Sequence, residues 1–279
     1  MKYPVFMGQT YAYNYIHIGD SYKLAKSLIK TGNPYGLNKA ETDSHQMKNS
    51  EWGAVAYLTH SQYGLDGQNS LNINNVNLGN TVSKIYAVTG YAGEGTDTEQ
   101  NQFENAPSSL GESISNGTYT SYAWYTENGQ KGSSTQNITG VYDLSGCVWE
   151  SISVQLENEN KESIKNTYGG SLISETDLKY KMIYPHNSQN DSNTENWNAY
   201  KNAQTEVYGY GDAILETSTV GSGTVSWNQD YSSFAYGEHL SLKRGGRYSS
   251  GSKGGLFAYN HYSGQLSTYQ GFRAVLVGV

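Results

Sequence analysis

The chain has 279 residues, a net charge of −7 and one cysteine. Its length fits one large domain or two small ones, and the acidic balance argues against general nucleic-acid binding. A single cysteine excludes an intrachain disulfide, no apolar run is long enough to span a membrane, and 26 tyrosines argue for a folded chain.

Two segments in the first quarter of the chain have the pattern of amphipathic helices. In residues 19–32 we expect Asp20 to be the N-cap and Gly32 to mark the end. Residues 48–64 form the second segment, with an N-cap at Asn49 or the serine after it and a glycine at the end.

Short apolar segments follow, separated by residues rich in Gly, Asn and Ser. We interpret them as strands at residues 83–90, 117–125, 140–146, 148–155, 180–185 and 272–279. The polar stretches at residues 67–80, 95–109 and 186–198 are interpreted as long loops. The opening YPVF and the closing FRAVLVGV are both strand-like, and we expect them to pair because chain ends often meet. Two helices followed by loop-rich strands predict a single α+β domain over residues 1–279.

The segment NITGVYDLSGCVWE, residues 137–150, has the features of a buried turn. Its glycines permit turn geometry, and Asp143 can accept hydrogen bonds from backbone amides. Trp149 is expected in the core, and a buried Glu150 needs a cationic partner such as Arg244 or Arg273. The residues expected to be structural are Asp143, Gly146, Trp149, Glu150, Arg244, Gly245, Gly246, Phe272 and Arg273.

This segment resembles the N-x-x-G-x-Y-D-x-S-G-N-V-W-E signature of the formylglycine-generating-enzyme-like family. KNSEWGAVAYL precedes it and RGG and GFR follow it in the order of that family. The resemblance covers most of the chain and implies a C-type-lectin-like fold. More narrowly, the chain resembles bacterial and phage surface proteins that use this fold for display, including variable proteins diversified by retroelements between RGG and GFR. It therefore implies a cell-surface or virion-associated protein, as a domain of a longer or leader-bearing chain.

The family's enzymatic chemistry is not expected in this chain. The resemblance implies a copper-holding cysteine pair, but the only cysteine is Cys147, where the family usually has Asn. Relatives also hold calcium near this motif, and Cys147 removes one oxygen ligand while Asp143 and Glu150 remain. Zinc-ligand, P-loop and nucleophile-elbow spacings do not occur. We expect no catalytic residue and no cofactor, with calcium left as an alternative.

The C-terminal segment from Ser241 onward contains five Lys or Arg residues and no Asp or Glu. It is interpreted either as a loop region with solvated cations or as a positive patch on an acidic body. Residues 247–270 have the Tyr, Ser and Gly content of antibody paratopes. We predict a displayed binding face rather than an ordinary polar strand and loop, with the side chains of its eight tail residues mostly exposed. The candidate ligand-binding residues are Trp227, Tyr231, Arg247, Tyr248, Ser250, Lys253, Tyr259, His261, Tyr262 and Tyr269.

Two functions are compatible with these features. The first is a non-enzymatic adhesin or receptor-binding protein with a protein or glycan ligand. The second is a lectin-like carbohydrate binder that stacks sugars on Trp227, Tyr248 or Tyr262. A catalytically altered enzyme is a distant third. We expect neither a nucleic-acid partner nor membrane insertion by this chain.

Overall fold

A computed structural model describes the chain in several segments. They are residues 13–64, 85–88, 113–115, 120–123, 125–130, 133–146, 148–158, 160, 168–185, 192–203, 211–247, 250 and 253–279. The YPVF segment, Cys147 and Tyr248 lie outside them, so the predicted pairing of YPVF is not addressed.

The described residues form a mixed α and β structure. The helices are α1 (Ile18–Ser27), α2 (Asn49–His60), α3 (Glu127–Gln130), α4 (Gly170–Ile173) and α5 (Asn193–Ala203), with a 3₁₀ turn at Trp227–Gln229. The strands are β1 (Thr42–Gln46), β2 (Ile85–Val88), β3 (Ser113–Ser115), β4 (Thr120–Ala123), β5 (Trp149–Ser151), β6 (Val154–Glu157), β7 (Met182–Pro185), β8 (Ser222–Gly223), β9 (Ser232–Ser233), β10 (Ser241–Gly245), β11 (Gly255–Tyr262), β12 (Gln270–Phe272) and β13 (Ala274–Gly278). None of the helices in these segments is long and apolar enough to cross a membrane.

Both predicted helices are present, but α1 begins earlier than expected. Its N-cap is His17, and Asp20 lies in the first turn. The backbone N–H groups of Ile18 and Gly19 donate to the carbonyls of Gly264 and Tyr168, at 3.2 and 2.8 Å. These tertiary bonds satisfy the free donors of the first turn, so a side-chain cap is not needed.

Helix α2 also has its N-cap earlier in the chain than expected. Its N-cap is Lys48, not Asn49 or Ser50 as predicted, and the backbone N–H of Lys48 donates to the Glu51 carboxylate at 2.7 Å. The last helical residue is His60, four residues before Gly64. The helix is therefore shorter at its C-terminal end than the glycine predicted.

Two predicted segments need correction. The proposed loop at residues 186–198 contains the start of α5, whose Trp197 and Tyr200 are buried. The proposed strand at residues 140–146 forms only one isolated bridge, between Tyr142 and Ser133.

The central sheet has six strands in the order β12-β5-β10-β11-β9-β8. Strand β5, the Trp-Glu-Ser part of the motif, lies between β10, which carries RGG, and β12, which leads into GFR. The largest core cluster packs α5 against Leu242 and Tyr259 of this sheet. The motif and both C-terminal anchors are thus adjacent strands of one sheet.

Strand β13 closes the described fold by pairing antiparallel with β1, from Thr42 opposite Gly278 to Gln46 opposite Ala274. The end of the chain is therefore paired with a strand near its beginning that the sequence did not predict. Outside the central sheet, β2, β3 and β4 form a three-stranded sheet, and β6 pairs with β7.

Candidate ligand-binding cleft

Alternation along the strands sorts the candidate residues onto two faces of the central sheet. Lys243 lies opposite Asn260, and the next pair in the register is Arg244 opposite Tyr259. Because successive side chains point to opposite faces, these two pairs face opposite ways. Arg244 and Tyr259 are fully buried, whereas Lys243 and Asn260 are partly accessible.

The accessible face forms a cleft of about 480 Å³, called here the cationic cleft. It is lined by Trp149, Tyr231, Lys243, Arg247, Ser250, Lys253, Asn260, Ser267, Tyr269 and Gln270. Five of these were predicted as ligand-binding residues, and Trp149 was predicted only as a core residue. The volume lies in the ordinary range of small-molecule sites, roughly 300–1,000 Å³.

Three cations line the cleft, and none of its lining residues is an Asp or Glu. The Lys243 ammonium lies 5.3 Å from the ring centroid of Trp149 and 5.5 Å from that of Tyr262. Burial, together with the nearby charge of Arg247, lowers the pKa of Lys243 to about 8. The cleft therefore holds a partly desolvated positive charge next to a second one.

Aromatic rings fix the positions of these cations. The Arg247 guanidinium carbon lies 4.1 Å from the ring centroid of Tyr269, which is a close stacking contact. Trp149 in turn meets Tyr231 edge to face, with centroids 6.5 Å apart. The rings thus serve mainly to orient charged groups rather than to leave open stacking platforms.

Two amide oxygens of the cleft accept no hydrogen bond from any described residue. The buried oxygens Gln270 Oε1 and Asn260 Oδ1 have no partner among the described residues. Gln270 is only 3% exposed and lies directly opposite Trp149 in the sheet. Buried polar atoms are nearly always paired, so these two oxygens have an unmet need for a hydrogen-bond donor.

A second hollow of about 330 Å³ adjoins the cationic cleft and shares Lys243, Ser267 and Gln270 with it. His239 and His261 line it, with ring centroids 4.0 Å apart. Burial lowers the pKa of His261 to about 3, and the positive charges of His239 and Lys243 add to this effect. His261 is therefore neutral at physiological pH, although the sequence predicted it as an exposed contact residue.

Three candidate residues are placed differently from the prediction. Tyr259 is fully buried in the core, so its expected exposure is wrong. Tyr262 is 4% exposed, packs against Ile18 and Leu240, and touches only the second hollow. Trp227 is 41% exposed but lies beside His60 rather than in either hollow.

The residues predicted as structural support the cleft from behind. As expected, Arg273 is the partner of Glu150: its Nε donates to Oε2 at 2.8 Å, and its Nη2 donates to Oε1. A second Nη2 bond, of 2.9 Å, reaches the Tyr142 carbonyl. Arg244 lies directly opposite Glu150 in the sheet but forms no ion pair with it; its Nη2 donates to the carbonyl of Ala213 at 3.1 Å.

Glycines with positive φ angles lie where the motif contacts the RGG anchor. Gly146 has φ +82°, and its N–H donates to the Gly245 carbonyl at 3.1 Å. Gly245 and Gly246 have φ +87° and +82°, and they form the bulge at the end of β10. Asp143 is also left-handed, at φ +59°. Phe272 is half-buried and meets Tyr13 edge to face, with centroids 5.9 Å apart.

The geometry around Glu150 does not fit calcium. Both carboxylate oxygens accept hydrogen bonds from Arg273, and a calcium ion needs six to eight oxygen ligands. Within the described segments, no three His, Cys, Asp or Glu residues form a group that could hold a metal ion.

No family model matches this chain, and no curated protein matches it in sequence.

Proposed function

We propose that the chain is a non-enzymatic ligand-binding protein and that the cationic cleft is its binding site. The observation that carries this proposal is the gathering of five predicted contact residues around Trp149, on the face of the sheet opposite the core. The sheet fixes the strand positions, while the Tyr and Ser side chains that line the cleft supply contact area and adaptable hydrogen bonds.

The chemistry of the cleft supports binding rather than catalysis. Its lining residues include no carboxylate, imidazole or thiol that could act with Lys243 as an acid–base or nucleophilic pair. With one cysteine in the chain, we also expect no formylglycine product from sulfatase-type peptides when copper is supplied. Detection of that product would contradict the proposal.

We infer further that the scaffold is C-type-lectin-like. The motif strand between the RGG and GFR anchors, the two early helices and the pairing of β13 with β1 all support this inference. It suggests an extracellular, cell-surface or virion-associated protein with a protein or glycan ligand. If the tail is diversified by a retroelement, the genome should hold a near-copy of its coding segment that differs mainly at adenines, beside a reverse transcriptase gene.

Carbohydrate binding is the second candidate function. The unpaired amide oxygens of Asn260 and Gln270 favour it, because sugar hydroxyl groups can donate to them. Stacking on Trp227 and Tyr262, as the sequence suggested, has no support from the cleft, since neither residue lines it.

Binding of labelled protein to a panel of intact bacterial and animal cells tests the proposed function. The test variant replaces Tyr231, Arg247, Lys253 and Tyr269 by Ser and is called here the cleft variant. A matched control replaces the exposed residues Tyr63, Tyr125, Lys30 and Lys39 by Ser. Wild type and control should bind saturably to at least one cell type, and the cleft variant should not. Equal binding by both variants would place the binding site elsewhere.

A further inference from the structure

The cleft contains positive charge that no described Asp or Glu residue neutralises. Lys243, Arg247 and Lys253 form no ion pair with any Asp or Glu of the described residues. Bringing Lys243 and Arg247 together in a partly desolvated site costs free energy, since like charges repel and burial removes water. An anion bound between them would remove both penalties.

The cations are held so that their hydrogen-bonding edges remain available. The Arg247 guanidinium carbon lies over the Tyr269 ring, and no described carboxylate pairs with its N–H groups, which can bind an acceptor with two oxygens. Carboxylates and sulfates have oxygen atoms with the spacing for such an acceptor. The cleft therefore suits an oxyanion better than a monatomic ion.

The two amide oxygens need a hydrogen-bond donor, whereas the cations of the cleft need an acceptor. Gln270 Oε1 and Asn260 Oδ1 need hydrogen-bond donors, which an oxyanion cannot supply. The ligand must therefore carry neutral hydroxyl or N–H groups close to its negative charge.

We propose that the cationic cleft binds an acidic saccharide, with its carboxylate or sulfate between Lys243 and Arg247 and its hydroxyl groups donating to Asn260 and Gln270. This proposal rests on the cleft being the binding site and names the class of ligand. The volume of about 480 Å³ suits one or two sugar rings.

An acidic peptide fits the cleft less well. Strands β5, β10 and β11 lie inside the sheet, so their backbone groups are already paired and offer no edge for a peptide strand. The lining is instead made of side chains, among them the hydroxyls of Ser250 and Ser267 and the two amides. This pattern matches a compact ligand with several hydroxyl groups.

Isothermal titration of the whole chain at low salt distinguishes these ligands. The probes are disaccharides that end in glucuronate, sialic acid or a 6-sulfated sugar, each paired with its neutral counterpart, and a tetraglutamate peptide. At least one acidic disaccharide should bind about tenfold or more tightly than its neutral counterpart, as expected for loss of a charge-assisted hydrogen bond. The carboxylate and sulfate arms show which oxyanion the site takes.

Variants then assign the contacts. Lys243→Met and Arg247→Gln should each weaken binding of the acidic sugar about tenfold or more, while Lys30→Gln, an exposed lysine away from the cleft, should not change it. Asn260→Ala should lower the affinity for the acidic sugar but leave any weak binding of tetraglutamate unchanged. Unchanged melting temperatures would show that the variants are folded.

Three results would overturn the inference. Equal binding of acidic and neutral sugars would show that the charge plays no part. Tighter binding of tetraglutamate than of any acidic sugar would show that the site is specific for a peptide. If no probe binds while wild type still binds cells through the cleft, the ligand class is wrong and the proposed function stands. If the cleft variant binds cells like wild type, the proposed function itself fails.

Discussion

Glu150 carries a buried negative charge between the two anchors of the C-terminal segment, and Arg273 neutralises it. Removing one partner of a buried pair leaves an uncompensated charge, which typically costs 3–5 kcal/mol. Arg273 remains partly accessible, so we expect Arg273→Met to lower the free energy of unfolding by about 3 kcal/mol. Denaturant unfolding of Arg273→Met, Glu150→Gln and the double variant measures the coupling. A coupling energy near zero would show that the pair does not stabilise the fold.

Gly246 tests whether close packing, and not only backbone angle, requires glycine in the RGG anchor. A Cβ at this position would lie 2.6 Å from the Gly254 Cα, while a Cβ at Gly32, with nearly the same φ of +83°, would meet nothing within 4 Å. Gly32→Ala should therefore cost only the left-handed strain, about 1 kcal/mol, and Gly246→Ala about 3 kcal/mol. Thermal unfolding of the two variants is the comparison. Equal losses would mean that the bulge can relax.

Lys243 makes ligand binding dependent on pH if the ligand is anionic. Its pKa of about 8 in the folded protein means that it is charged below that pH and loses its charge as the pH rises through it. The cations facing it are Arg247 and Lys253, and His261 nearby is already neutral. Affinity for the acidic disaccharide should thus fall between about pH 7 and 9.

The matched variant for this prediction is Lys243→Arg. An arginine keeps its charge throughout this range, so the affinity of this variant should not change with pH. Titrations at several pH values decide the matter, and an identical pH profile for wild type and variant would assign the dependence to another group.

Helix α5 shows what a propensity-based interpretation overlooks. Asn-rich sequence around residue 190 suggested a loop, yet Ser192 and Glu195 form the reciprocal bonds of a capping box, at 2.7 and 3.3 Å. That Ser-x-x-Glu signal is visible in the sequence. Packing of Trp197 and Tyr200 on Phe234 then stabilises the helix.

Two tryptophans provide a matched test of this packing. Trp197 is 4% exposed in the main core cluster, whereas Trp227 is 41% exposed. Trp197→Ala should lower the free energy of unfolding by about 3–5 kcal/mol, and Trp227→Ala by much less. Denaturant unfolding followed by circular dichroism measures both. A similar loss for the two would contradict the assignment of α5 to the core.

Strand β1 could not be predicted from hydrophobic periodicity, because its residues are polar and nevertheless buried. Ser44 donates to the Ala25 carbonyl at 2.6 Å, and His45 lies 2.8 Å from the Glu51 carboxylate. Each partner comes from a helix, so the strand is stabilised only once the fold has formed. A pattern based on apolar alternation has no signal for such a strand.

The same limit applies to the binding face. Composition identified the C-terminal segment as a candidate site, but composition does not tell which face of the sheet a tyrosine occupies. The register of β10 and β11 places Tyr259 in the core and its neighbour Asn260 in the cleft. Lys243 and Gln270, which directly precede the RGG and GFR anchors, were missed because the face that each occupies depends on the strand register. Burial of Trp149 and Glu150, and the need of Glu150 for an arginine partner, in contrast followed from residue chemistry.

For the molecule as a whole, we infer that the sheet and its core hold the fold while the cleft residues are displayed on it. Equilibrium unfolding of the cleft variant, compared with Tyr259→Ala, tests this claim most directly. The four half-buried or exposed cleft residues together should contribute less than about 2 kcal/mol, whereas the single core substitution should cost about 3 kcal/mol or more. A cleft variant at least as destabilised as Tyr259→Ala would show that these side chains maintain the fold, and would contradict a displayed binding face.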